Sequence, residues 1–332
     1  MKYKFIIYLS AILISNKLTS QNIDKALIGS WVKLSANFQN GDDLPLDHPV
    51  RQNYVRFDFN KKGNAYKTTN PLDKGYMFKY QANGNNLKIG FINYMIKRLS
   101  SDTLVLVEEG RNGFDNSAIM YSLTRESLYQ KKLPLLEELL IVRDSDTLYI
   151  ENEKIRARFE KDESFHEYLR KGIPEYSNVV SSDNFFMATF IVDQNGKIDS
   201  IKIHKSLNKS FDKQFIKAVN SSSGYWEPAQ LNGKNVNILH TETFTFITNP
   251  NFEKQYYNYK NGVIEMQKGN YDNAIKLFNI TLSSNPNDID ALYQRGICYY
   301  KIGMGDKACV DWLKIRALKS KRADDILIEL CK

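Results

Sequence analysis

The residues best suited to acid–base or metal chemistry near neutral pH are four histidines, His48, His166, His204 and His240. None stands in a His-x-x-x-His or His-Glu-x-x-His spacing, so no helix face offers a metal-binding pair. His204 and His240 fall in strand-like segments and can meet across neighbouring strands. Capping or surface roles are the alternative. The adjacent carboxylates Glu108-Glu109 and Asp324-Asp325 diverge on a strand or a helix, so both read as solvated charge. There is no Gly-x-Ser-x-Gly and no phosphate-binding loop. The expectation is a protein without catalytic activity, cofactor or metal. Cys298, Cys309 and Cys331 all lie in the last 35 residues. Their spacing matches no zinc or redox motif, and an odd count permits at most one internal bridge.

The elements that would position any such residues must come from a chain of 332 residues, 42% of them hydrophobic, enough for two or three cores. Net charge is +8, but Lys2, Lys4 and Lys17 lie in the first twenty residues, which hold no acid, so the rest carries 8 − 3 = +5. No Lys/Arg run is dense enough for a nucleic-acid partner. Residues 1–20 have the layout of an export signal: basic "MKYK", apolar "FIIYLSAILI", polar "SNKLTS". Ten apolar residues fall short of the roughly 20 that a bilayer requires. Cleavage after Ser20 and a soluble exported product are expected.

Residues 26–126 alternate in short strands, among them "WVKLSANF", "NYVRFDF", "NLKIG", "DTLVLVEE" and "AIMYSLT". Gly/Asn turns join eight of them into a meander that can close as a sandwich or barrel. Gly29-Ser30-Trp31 opens the first strand and Arg125 follows the last. In this the segment resembles the lipocalin-like domains of bacterial exported proteins, where a Gly-x-Trp closes one barrel end and the Arg packs on the Trp. A plain core role for Trp31 is the alternative. Residues 127–160 remain unassigned: "LPLLEELLIV" suits a helix or a strand, and "SDTLYIENE" echoes "SDTLVLVEE".

Residues 161–249 give helix, strand, strand, helix, strand. "DESFHEYLRKGIP" has helical spacing, and a hairpin is signalled by Asn195-Gly196 between "NFFMATFIVD" and "KIDSIKIHKS". Phe211, Phe215, Ile216 and Val219 line one stripe of the next helix. Trp226-x-Pro228, an Asn232-Gly233 turn and "NVNILHTETFTFI" complete the unit. Phe190, Val192, Gly196, Ile198, Ile201, Phe211 and Trp226-x-Pro228-Ala229 resemble the C-terminal domain of TonB-family proteins. That resemblance implies an α+β fold whose last strand recruits an extended peptide by strand addition. It assigns that role to the edge strand Asn237, Ile238, Leu239, His240, Thr241 and Glu242, continuing to Phe246. Pairing within the protein, or with a second copy, is the alternative.

Residues 255–331 repeat at a period of 34: Gly262 with Gly296, Ala274 with Ala308, Phe278 with Trp312. They resemble two tetratricopeptide repeats, 255–288 and 289–322, followed by a capping helix "RADDILIELCK". The family's concave face then carries Tyr256, Tyr259, Val263, Met266, Asp290, Tyr293, Ile297 and Tyr300, a tyrosine-rich surface for peptides or for docking on the neighbouring domain. In that layout the capping helix runs back along the second helix of repeat two. Cys309 and Cys331 then share one tip, and a disulfide between them is expected, with three free thiols as the alternative.

The fold class expected is thus multidomain: a lipocalin-like β-barrel, a TonB C-terminal-like α+β domain and an all-α repeat array. The function expected is protein–protein interaction in the periplasm with protein or peptide partners. TonB-type energy transduction, or carriage of a small apolar molecule in the barrel, are the alternatives. N-terminal sequencing of the exported protein should start near Gln21. Met1 on a membrane-bound form would show that the segment is retained.

Overall fold

The computed structural model describes residues 20–142, 147–174, 176, 184–246 and 250–331. The export signal expected at residues 1–20 lies outside them apart from Ser20. The chain divides into two compact units: one holds the described residues up to 70 together with 75–129, the other 71–74 and 130 onward.

In the first unit, helix α1 (Ser20–Leu27) leads into β1 (Gly29–Phe38), and the short α2 (Pro49–Gln52) precedes β2 (Arg56–Phe59). Then come β3 (Asn64–Thr68), β4 (Tyr76–Asn83), β5 (Asn86–Ile89), β6 (Ile92–Leu99), β7 (Thr103–Glu108) and β8 (Ile119–Arg125). Each strand pairs with the next, and β8 closes on β1, with Trp31 opposite Arg125. The alternation read from the sequence is the alternation of the wall: Leu87 and Ile89 point in, Asn86 and Lys88 out. Trp31 is fully buried and donates through Nε1 to Leu27 O at 2.8 Å. The Arg125 guanidinium lies 3.7 Å over its ring. Arg125 also donates to Ile28 O, Ala26 O and Ser101 O at 2.7–3.0 Å. One cation therefore satisfies three carbonyls and ties both ends of the meander at one rim. Phe57, Phe59, Tyr80, Tyr94 and Tyr121 pack ring on ring inside.

After α3 (Glu126–Lys132), the second unit adds a 3-10 turn (Glu137–Leu139), β9 (Leu140–Val142), β10 (Thr147–Ile150), β11 (Arg158–Phe159) and α4 (Phe165–Gly172). Next are β12 (Asn184–Val192), β13 (Ile198–Lys205), α5 (Lys209–Ser221), β14 (Trp226–Glu227), β15 (Ala229–Leu231) and β16 (Lys234–Phe246). Five strands form a sheet in the order β13-β12-β16-β10-β9, β15 pairs with β16, and β11 with β14. The segment 127–160, unassigned from sequence, therefore supplies two strands of this sheet. β12 is buried from Phe185 to Val192, as a central strand covered on both faces must be. Phe186, Ala188, Phe190 and Val192 face the core under α4 and α5. Phe185 and Met187 face the C-terminal helices. Trp226 plugs the first core against Phe159, Phe165 and Phe190, and Pro228 follows it where the chain becomes extended. Gly196 has φ +73°, and an added Cβ would lie 2.1 Å from Trp226 O, so the hairpin turn fits only glycine there.

Helices α6 (Pro250–Gln267), α7 (Tyr271–Ser284), α8 (Ile289–Lys301), α9 (Gly305–Ala317) and α10 (Asp324–Leu330) follow. The 34-residue period is physical. Gly262 lets α6 approach the Phe278 ring of α7, and Gly296 lets α8 approach the Trp312 ring of α9. Ala274, Phe278, Ala308 and Trp312 are all fully buried. Cys309 and Cys331 are joined in a disulfide, their Cα atoms 5.7 Å apart. Cys298 is a buried free thiol whose pKa burial pushes up to about 12, so it stays protonated and inert.

An alanine Cβ at position 296 would sit 2.3 Å from Trp312 Nε1, an overpacking that costs about 1–3 kcal/mol. Urea unfolding of Gly296→Ala should show that loss. Gly305→Ala, with open space around the new methyl, should be neutral or slightly stabilising.

Candidate functional site

β16 is the longest strand of the second unit and lies between two partners. β12 runs antiparallel to it from Ile238 to Phe246, after the β15 hairpin pairing at Lys234–Val236. On the opposite flank β10 runs parallel to it, with Leu148, Tyr149 and Ile150 opposite Asn237, Ile238 and Leu239. Glu151 N donates to Leu239 O at 3.1 Å. Leu239 therefore directs its backbone groups to the β10 flank, and by alternation so do Thr241, Thr243 and Thr245. Beyond Leu239, no strand among the described residues pairs with this flank. The chain leaves the sheet at Asn152, whose N–H donates to Ile155 O and whose side chain accepts from Lys154 N and Ile155 N.

The expectation of an edge running from Asn237 to Glu242 is thus corrected in its first half. Asn237, Ile238 and Leu239 are interior to the sheet, because β10 fills the flank beside them. The open register starts at Thr241 and reaches Phe246. The missing piece was β10 itself. Its period-2 pattern in "DTLYIE" was visible, but four residues without a turn partner cannot be assigned to a sheet from local sequence.

Where β10 ends, a charged chain crosses the sheet's α4 face. His240 Nδ1 lies 2.6 Å from Glu151 Oε2, and its Nε2 lies 3.4 Å from Glu242 Oε2. Glu242 Oε1 lies 2.8 Å from His166 Nδ1 on α4. Ser164 caps α4 by accepting from Glu167 N, which fixes the position of His166. His240, Glu151 and Glu242 are nearly buried, and His166 is half exposed. Burial alone would lower the His240 pKa, but Glu151 and Glu242 outweigh it and push it up to about 10. Burial would raise Glu242, but His166 and His240 hold it below the usual carboxylate range. The hydrogen bond to Glu242 raises His166, helped by Asp73 and Glu167. The cluster is an imidazolium clamped between carboxylates. Among the described residues no group of His, Cys, Asp or Glu is arranged to hold a metal ion.

His204 does not meet His240. The two stand on β13 and β16, on either side of β12. His204 is buried against the helices, 2.9 Å from Thr189 Oγ1, and burial with Lys202 and Arg322 nearby lowers its pKa to about 3, so it is neutral. Its carbonyl accepts from Tyr259, Gln294 and Arg322. Lys205 bonds both oxygens of Asp288 at 2.8 Å and lies 3.4 Å from Asp290, which Arg322 also approaches at 2.9 Å.

Of the two roles open to Tyr256, Tyr259, Val263, Met266 and Asp290, a peptide surface or docking on the neighbouring domain, these contacts favour docking. All five are buried, and Phe185 and Met187 of β12 fill the face. Burial raises the Asp290 carboxyl, and Lys205 and Arg322 oppose it. Tyr293 and Ile297 are partly buried, and Tyr300 remains exposed. A two-repeat array lacks the apolar area to stand alone, so its most apolar face is spent on the sheet.

Residues 186–248 match the family model for the Gram-negative bacterial TonB protein C-terminal. The match spans β12 through β16, so the strand with the half-open flank is the last strand of the TonB C-terminal segment. No curated protein matches the chain. Among the described residues no helix is long and apolar enough to cross a membrane.

The clamp around His240 makes stability depend on pH with a definite sign. Glu242 is lowered, so its contribution is present above its ordinary 4.5 and is lost as pH falls through and below that value. His240 is raised, so its contribution is complete below 6.5 and is lost as pH rises toward about 10. The stability gap between the native protein and His240→Phe should peak between pH 4.5 and 6.5 and shrink on both sides. Chemical denaturation across pH would read it.

Proposed function

We propose that this is an exported envelope protein of the periplasm that binds protein partners and has no catalytic role. Its TonB C-terminal segment takes an extended peptide on the open flank of β16, from Thr241 to Phe246. The observation that carries this reading is the half-open flank on the last strand of the segment that matches the TonB C-terminal family. Three successive alternate residues there direct outward backbone groups that no strand among the described residues pairs with, the arrangement that supports strand addition. The reading without catalysis is supported by the His240 cluster, whose imidazoles and carboxylates are engaged with one another.

The C-terminal helices, read as tetratricopeptide repeats, act in this proposal as a brace for the sheet. Their concave residues are already engaged by β12, so their tyrosines contribute rigidity to the docking strand, and Tyr300 alone of the set is left well exposed.

A proline scan separates the flank from the fold. Proline at Thr243 or Thr245 removes a donor aimed at the open flank and leaves the β12 ladder intact. Proline at Phe244 removes a ladder bond and should unfold the sheet. Thr243→Pro should keep the native circular dichroism spectrum and lose capture of envelope proteins on affinity beads. Unchanged capture by folded Thr241→Pro, Thr243→Pro and Thr245→Pro would refute strand addition.

A further inference from the structure

β10 is short, and its hold on the sheet is local. It pairs with β16 at three positions, and its outer neighbour β9 is three residues long with Val142 fully at the surface. Leu148 packs with Ile141, Ile191 and Leu239 in a small cluster separate from both main cores. On the other face Tyr149 touches the main core, and Glu151 reaches His240. The slot thus reads four successive side chains: two apolar ones on one face, and an aromatic and a carboxylate on the other.

The slot and the open register are one continuous flank. β10 runs parallel to β16 but cannot continue along it, because the Asn152 turn takes the chain away. A separate strand in the same register meets no such turn. It can run from Asn237 past Thr241 to Thr245, pairing over a longer stretch than β10 does.

We propose that β10 is an internal occupant of the partner slot on β16, exchanged for an extended segment of a partner protein. That segment has apolar side chains at the Leu148 and Ile150 positions and a carboxylate at the Glu151 position, where His240 reads it. This rests on the strand-addition reading above and adds which residues the partner displaces and what chemistry it must carry. A free-standing copy of the pattern is a direct probe: the peptide TLYIETVTV, which keeps the Thr147–Glu151 sequence and continues as a straight strand.

The probe is titrated against the whole protein by fluorescence anisotropy, and hydrogen exchange is followed in the complex. The expected result is slowed exchange at Thr241–Phe246 and accelerated exchange at Leu140–Val142 and Thr147–Ile150. A peptide with Gln in place of its Glu should bind about tenfold more weakly, the loss of one charge-assisted hydrogen bond. Protection of Thr241–Phe246 with no change at β9 and β10 would overturn the exchange and leave strand addition standing. Equal affinity for the Glu and Gln peptides would overturn the role of His240. The variant Leu148→Asp weakens the packing of β10 on Leu239 while every residue of β16, His240 included, is kept, and it should bind the probe more tightly than the native chain. No binding to either form would overturn the proposal, while the proline scan with native partners still decides strand addition independently. If native chains instead dimerise by exchanging β10, seen as a concentration-dependent mass in light scattering, the slot belongs to a second copy and the proposal of a different protein fails.

Discussion

Backbone pairing along β16 is the constraint on which the second unit depends. One flank is committed to β12 from Ile238 to Phe246, and β12, held between β16 and β13, is buried on both faces. A strand of this kind needs a layer on each side. α4 and α5 supply one, and the C-terminal helices supply the other through Phe185, Met187 and the buried His204. The opposite flank of β16 is divided between β10 and an open register. Function, in this account, lies in that division.

The layers explain why two segments with separate sequence patterns fold as a single compact unit. The helix array has its own 34-residue repeat and its own glycine-to-ring contacts. Two repeats are nevertheless too few to bury their concave face. The neutral His204 and the Lys205–Asp288–Asp290–Arg322 group sit where the array meets β13, and the charges of that group are paired with one another. The array therefore stiffens the sheet from behind and leaves the β16 flank free.

Much of this was legible in the sequence because it is written in local patterns. Period-2 alternation marked the barrel strands, Asn195-Gly196 marked a hairpin, and Trp226-x-Pro228 marked the junction between helix and strand. The flank occupancy was not legible, because it depends on a pairing between Leu148 and Asn237, far apart in the chain, with no turn to set the register. The His240 clamp was missed for the same reason. Glu151 and His166 are ordinary residues in unrelated segments, and only the sheet and α4 bring them to one place. The tyrosine face shows the converse case: the helical spacing identified the face and left both a peptide and the neighbouring domain as its cover, because spacing alone cannot say which.

Site-specific photo-crosslinking in the native envelope tests the central claim most directly. A photoreactive side chain at Thr245, the most outward residue of the open register, should capture a protein through an extended segment identifiable by mass spectrometry. The same group at Ile280, on the exposed side of α7, should capture none specifically. Specific capture from Ile280 with none from Thr245 would place the partner on the helices and contradict the account.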